Sequence, residues 1–486
     1  MFFDMIPKTT KKDFVVRIND FSAGLDKATT ENLVPLKQSV DTFNFDYTKK
    51  GLSDGLGLKP LVIYNGDSTK TMTTPSGIGS ALGFWTYHKV AGASHVPMMM
   101  LYGGNGHMYY GLVTTLNGDF SDYGVSFSRT PVCLNYRLNG ENVFFACSTD
   151  KVVVFTNTNC STYTQNVPSI TSAVFNSDLL FATLEGNENK IFYSSTLNPA
   201  SWNMSNFDGE YIELNDDRGA CQKLIDAGEY VYVVRDFGLT RISDFDREQI
   251  KIEHVYSSHC KIYPESVVLC GNSIVFLCRD GVYSFNGSSA KKLDLGIESY
   301  LDKVENKGAI GAYLFGKYYL ACKLKITDGL TVGCESSTYT NNALIEYDMQ
   351  SGKTQTLRGV DVSAMCEFYS DWSTKLVVCL KNSVICELTW DGSVNSAPTT
   401  KVWTSGYTDF GYAELHKVIK RIYLNTKTDL NIKILADGME YSYQVSGNDL
   451  PQAITTNIRA RKFSFSILCE NAGCEISNLE FSMALC

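Results

Sequence analysis

Residues able to do chemistry are few and scattered in this chain. Six histidines occur in 486 residues, and two of them, His254 and His259, stand with Cys260 in the run HVYSSHC. Imidazole and thiolate are zinc-class ligands. In an extended strand, however, residues five apart point to opposite faces, so His254 and His259 would not converge. Asn215-Asp216-Asp217-Arg218-Gly219 offers carboxylates suited to calcium, but it lacks the later acidic ligand that closes an EF-hand loop. A solvated loop between strands is the expectation there. Glycoside cleavage needs two acids held a fixed distance apart across a cleft. With 52 acidic residues, the sequence gives no basis for choosing a pair. There is no GxSxG elbow, P-loop or HExxH run. The expectation is no catalytic residue, no cofactor-binding residue and no metal ligand.

What must be positioned is therefore a scaffold. Between Val267 and Leu293 four short apolar runs alternate with Gly271-Asn272, Asp280-Gly281 and Asn286-Gly287. Asp-Gly and Asn-Gly supply the positive φ that tight hairpins need, and the β-branched and aromatic residues between them suit a pleated sheet. Ile274 to Cys278 shows no alternation, so that strand is expected to be covered on both faces. The pattern is a four-stranded antiparallel meander, one blade of a β-propeller.

Similar signals recur from residue 76 to 398. Met98–Tyr102 with His107–Val113, Asn142–Cys147 with Lys151–Thr156, and Leu179–Leu184 with Lys190–Ser194 come before it, as do Glu229–Arg235 with Leu239–Ile242. Ala312–Lys323 with Ala343–Tyr347, and Lys375–Leu380 with Val384–Leu388, come after. Their spacing of roughly 40–60 residues suits propeller blades. The count is about seven, with six or eight open because the loop around Thr327–Asn342 blurs one boundary; a pair of β-sandwiches is the competing architecture. Tyr193 to Trp202 slightly resembles the aspartate box of sialidase propellers but lacks its Asp and Gly. It is read instead as a turn at Asn198-Pro199 with Trp202 packed between blades.

The flanks read differently. Residues 1–75 are broken and glycine-punctuated, an N-terminal arm expected to lean on another domain or subunit. Residues 399–486 carry strand-like runs at Lys417–Leu424, Leu430–Leu435, Glu440–Val445, Lys462–Leu468 and Leu479–Met483, a small antiparallel β-sandwich with open edges. The one helical candidate is Ile297–Val304. The fold class is thus all-β: arm, propeller, sandwich.

Composition limits the function. A formal net charge of −9 argues against a general nucleic-acid binder, which needs a basic stripe to neutralise phosphates. The 15 cysteines, an odd number with no CxxC pair, are expected to be reduced thiols used as small buried hydrophobes. The opening MFFDMIPKTTKK has too short an apolar run for a signal peptide, and no run approaches the ~20 residues of a membrane span. Synthesis in a cytosol is the expectation.

Several short motifs carry a family likeness. Asp20-Phe21-Ser22-Ala23-Gly24-Leu25, then Asn44-Phe45-Asp46 and Gly55-Leu56-Gly57, resemble the opening of phage tail structural proteins. Lys190-Ile191-Phe192-Tyr193-Ser194 with Pro199 and Trp202 is similar to one of their blades, and Asp280 to Gly287 to another. Phe410-Gly411, Arg421-Ile422-Tyr423 and Arg459 to Phe463 resemble their C-terminal sandwich. Ala23 stands where those proteins have a second glycine, and Lys59 where an arginine is usual. The nearest likeness is to the β-propeller nozzle or hub proteins of short-tailed bacteriophages. That resemblance implies a virion tail component, a homo-oligomeric ring of six around the DNA ejection channel. It also implies docking to portal-adaptor proteins and tail fibres, DNA passing without specific binding, and no catalytic residues. The alternative is a propeller that binds or cleaves host surface carbohydrate.

Overall fold

The computed structural model describes residues 13–486 apart from 27–28, 30–33, 65–68, 92–93, 113–119, 139–140, 150, 157–158, 165–168, 195–210, 244–249, 328–337, 370–372 and 449. Asn198, Pro199 and Trp202, and most of the loop around Thr327–Asn342, lie outside the described residues. Among the described residues, six four-stranded antiparallel sheets and one six-stranded sheet form the seven blades of a propeller. Blade 1 opens at Ala81–Ala91, blade 2 at Val132–Leu138, blade 3 at Ile170–Asn176 and blade 4 at Cys221–Ala227. Blades 5, 6 and 7 open at Val268–Cys270, Ile310–Leu314 and Val362–Tyr369. Blades 1 to 6 each run on through three more strands, and blade 7 through five, the last two being the short Ser393–Val394 and Ala397–Pro398.

The unalternating stretch of blade 5 explains itself by its neighbours. Ile274, Phe276 and Cys278 enter the core shared with blade 4, while Val275 and Leu277 enter the core shared with blade 6. A strand buried on both faces has no wet side to mark with polar residues. Its hairpin differs by one residue from the sequence expectation. Cys278 pairs with Gly281, so Arg279-Asp280 make the turn and Gly281, with φ of 151°, opens the next strand.

Ring closure comes from the N-terminal segment. Gly57–Pro60 pairs antiparallel with Ile385–Thr389 and completes blade 7. Leu58 is fully buried in the core between blades 6 and 7. The seventh blade therefore takes five strands from one end of the propeller sequence and one from the other, which removes a free edge from the ring. A fragment of residues 76–398, expected from the sequence to be a soluble monomer provided no arm strand completes a blade, would lack this strand.

The rest of the arm joins the sandwich. One sandwich sheet runs Phe45–Asp46, Leu52–Asp54, Glu475–Leu485, Lys417–Thr426, Gln452–Ala460, with Asp13–Ile18 also pairing along Glu475–Leu485. The other runs Ser39–Phe43, Lys401–Ser405, Phe463–Cys469, Leu430–Ala436, Met439–Val445. Alternate residues such as Ile432, Ile434, Phe465 and Phe481 interdigitate in a fully buried core. Phe21 packs edge-on against the buried Trp403 at 5.0 Å between ring centroids.

Ile297–Val304 does not form the expected α-helix. It makes only a 3₁₀ turn, Glu298–Leu301, whose Tyr300 and Leu301 are buried. Four residues cannot repay the cost of an α-helical nucleus, and the burial of the two apolar side chains holds the turn instead. No helix among the described residues is long and apolar enough to cross a membrane.

Candidate functional site

Innermost strands line the propeller bore, and four of them share one irregularity. Blades 1, 3, 4 and 7 carry a β-bulge between the first and third residues, at Ala81/Gly83, Ile170/Ser172, Cys221/Lys223 and Val362/Ala364. Bulges re-aim side chains and disrupt the ladder locally. Here polar side chains cross to the next blade. Ser172 Oγ accepts the Leu224 N–H at 3.0 Å, Lys223 Nζ donates to the Val267 carbonyl at 3.3 Å, and Ser363 Oγ donates to the Ala81 carbonyl at 2.5 Å. Inside this collar lies a cavity of about 630 Å³, whose lining mixes Trp85, Cys133 and Met365 with Lys223, Glu265 and Lys381. The two lysines are paired, Lys223 to Glu265 at 3.2 Å and Lys381 to Asp361 at 3.8 Å.

Further along the blade 7 strand sits Glu367. Burial pushes its carboxyl up to about 7, while the Tyr369 hydroxyl donates to it. Among the described lining residues, the Lys381 ammonium donates to the Thr340 hydroxyl at 3.0 Å. Burial raises the Cys133 thiol far from the thiolate form.

The carboxylate loop is a clamp rather than a solvated connection. Asp216 Oδ1 meets the Arg235 guanidinium at 3.0 Å, and Oδ2 meets Arg218 at 3.0 Å and His254 Nε2 at 3.1 Å. Arg235 is 1% exposed and also donates to the Gly219 carbonyl through Nε at 2.8 Å. Burial works to raise the Asp216 carboxyl. The Arg218 amide hydrogen bond and the charges of Arg235, His254 and Arg218 outweigh it and hold it below the usual range. Each oxygen thus faces a guanidinium, which disfavours calcium there.

His254 and His259 attach to different carboxylates, as their strand spacing suggests. His259 Nε2 lies 3.3 Å from Asp280 Oδ2, and Cys260 stands beside it. The sequence reading missed Asp280 as a partner. It lies 20 residues downstream in a hairpin turn, and no ligand-spacing rule links the two positions.

The sandwich presents open edges at its sides. Asp13–Ile18 and Gln452–Ala460 are at opposite ends of one sheet, and Met439–Val445 ends the other; among the described residues nothing pairs with their outer sides. These edges carry exposed apolar side chains, Val15 at 52% and Met439 at 61%, with Leu450 at 63% in the loop between the last two strands.

No family model matches this chain, and no curated protein matches it. Solved structures resemble it at low identity. BBS1N, solved in complex with ARL6DN and soaked with lead, shares 12% identity over 63% of this chain and 89% of that one, with a TM-score of 0.40. The computationally designed Ika8 protein shares 10% over 64% of this chain and 100% of its own, at 0.38. Chaetomium thermophilum Raptor shares 9% over 71% of this chain and 29% of its own, at 0.44.

Proposed function

We propose that this chain is a structural subunit of a bacteriophage tail, a nozzle or hub ring surrounding the DNA ejection channel and docking neighbouring tail proteins. The observation that carries the reading is the pair of opposed free edges, Asp13–Ile18 and Gln452–Ala460, on one sandwich sheet. An unpaired edge is a template for a strand from another chain. Joining one edge to the opposite edge of the next subunit is a head-to-tail contact, and such contacts close into rings when the rotation fits. The propeller, closed by Gly57–Pro60, has no such need and projects from the ring. The resemblance of its short motifs to those of tail proteins supports the virion setting and a count of six. Negative-stain electron microscopy of the full chain tests this: rings with an open centre are expected, and a field of single propellers counts against it.

A second reading, binding of host-surface glycan, draws on one feature. Trp390 is 51% exposed in a cleft of about 630 Å³ where propeller meets sandwich, beside Asp46, Lys49 and Gln355. An exposed aromatic face among polar groups suits a sugar ring. Glycan-array binding that disappears in Trp390→Ala would support this reading; an array without signal would remove it.

A further inference from the structure

We propose that His259, Cys260 and Asp280 form a binding site for a zinc-class divalent cation at the joint between blades 4 and 5. One ligand atom from each, an imidazole nitrogen, a thiol sulfur and a carboxylate oxygen, all lie within 4.8 Å of one another. In an extended strand neighbouring residues face opposite ways, and a local turn overcomes this here. Ser258 Oγ donates to the Cys260 carbonyl at 2.7 Å and receives the Cys260 N–H at 3.3 Å. This turn follows the last strand of blade 4, Lys251–Ser257, and brings residues 259 and 260 to the same carboxylate. That carboxylate stands on the Arg279-Asp280 turn of blade 5.

A second observation points into the site. Asp280 Oδ1 is buried and has no hydrogen-bond partner. A buried acceptor left unpaired keeps its full desolvation penalty, and a cation would relieve it. The other oxygen is well served. Oδ2 accepts from the Tyr283 hydroxyl at 2.7 Å, faces His259 Nε2 at 3.3 Å, and has Lys292 Nζ at 3.7 Å. Lys292 is tied to the Asp280 carbonyl at 2.6 Å, which fixes its ammonium on the backbone side.

Zinc bonds of about 2.0–2.3 Å in a tetrahedron put neighbouring ligand atoms roughly 3.3–3.8 Å apart. The cluster must contract by about 1 Å, and His259, 65% exposed at its side chain, is free to do so. Mixed nitrogen, sulfur and oxygen donors favour zinc over calcium or magnesium, which take oxygen alone. Three protein ligands leave the fourth position to water. Binding displaces the Cys260 thiol proton to solvent, and the cation would then pin the blade 4–5 connection to the blade 5 hairpin.

The test uses the full chain, stripped with a chelator and titrated with zinc chloride, then with cobalt chloride as a spectroscopic probe. One equivalent bound, a raised melting temperature and the thiolate-to-cobalt absorption of a tetrahedral site are expected. Asp280→Asn, Cys260→Ser and His259→Ala should each weaken zinc binding by at least about 100-fold. His259→Ala serves where the other variants disturb folding, because its imidazole is exposed. His254→Ala, which alters the Asp216 clamp instead, should bind zinc as the parent does. Absence of a thiolate–cobalt band, or undiminished zinc uptake in both His259→Ala and Cys260→Ser, overturns the site.

Discussion

Arg358 Nη2 lies 3.1 Å from Asp41 Oδ1, joining blade 6 to the N-terminal segment across 317 positions of chain. The guanidinium is 1% exposed and sits 4.1 Å from the Phe43 ring centroid and 4.9 Å from that of Tyr300. The Tyr300 hydroxyl donates to the same Asp41 oxygen at 2.7 Å. Propeller and sandwich are thus locked together through a segment that belongs to neither in sequence order.

Removing Asp41 should show this. Taking away one partner of a buried pair typically costs about 3–5 kcal/mol, because the remaining charge stays buried. Asp41→Ala should lower unfolding stability by roughly 3 kcal/mol in urea titration. Unfolding equal to the parent's would show that the pair is not structural.

Propeller closure gives a sharper test of chain organisation. Residues 76–398 lack Gly57–Pro60, so blade 7 keeps an open edge and loses the buried Leu58. That fragment should aggregate or melt well below residues 55–398. If the shorter fragment is the equal of the longer in a thermal melt, the closing strand is dispensable.

Glu367 should impose a pH dependence. Its folded-state carboxyl titrates near 7, whereas an unfolded glutamate titrates near ~4.3. The folded state therefore holds the proton more tightly between these values. Its contribution is fully present below about pH 4 and is lost as pH rises through 7. Glu367→Gln should raise the melting temperature at pH 8 relative to the parent and leave it little changed at pH 4. An equal shift at both values would mean that the carboxyl is not titrating there.

A ring of six chains carries about −54 formal charges from −9 each. Duplex DNA should pass without sticking. Filter binding at low salt should give weak retention; tight retention that collapses with added salt would contradict a non-adhesive channel.

The propeller was largely legible because its signals are local. Gly271-Asn272 and Asp280-Gly281 bracket the run Ile274–Cys278, and that run's missing alternation reported its two buried faces. What was not legible depends on contacts far apart in sequence. Nothing in Gly57–Pro60 announces that its partner is Ile385–Thr389. Gln452–Ala460 went unrecognised as a strand because its exposed Ala453, Thr455 and Asn457 break the apolar pattern. In the carboxylate loop, Asp216 looks solvent-facing until Arg235 arrives from the next hairpin. Asp280 was read only as a turn residue, and only the Ser258 turn makes it a neighbour of both His259 and Cys260.

The most direct measurement is the mass of the full chain in solution, by native mass spectrometry, for the parent and for Ala453→Pro and Ile454→Pro. Successive N–H groups of a strand point to opposite sides, so one of these prolines removes only an outward donor from the free edge. Ring assembly through this edge requires a six-chain particle for the parent, and a single chain with an unchanged melting temperature for that variant. A parent that stays a single chain at every concentration, or a six-chain particle untouched by either proline, would contradict ring assembly through this edge.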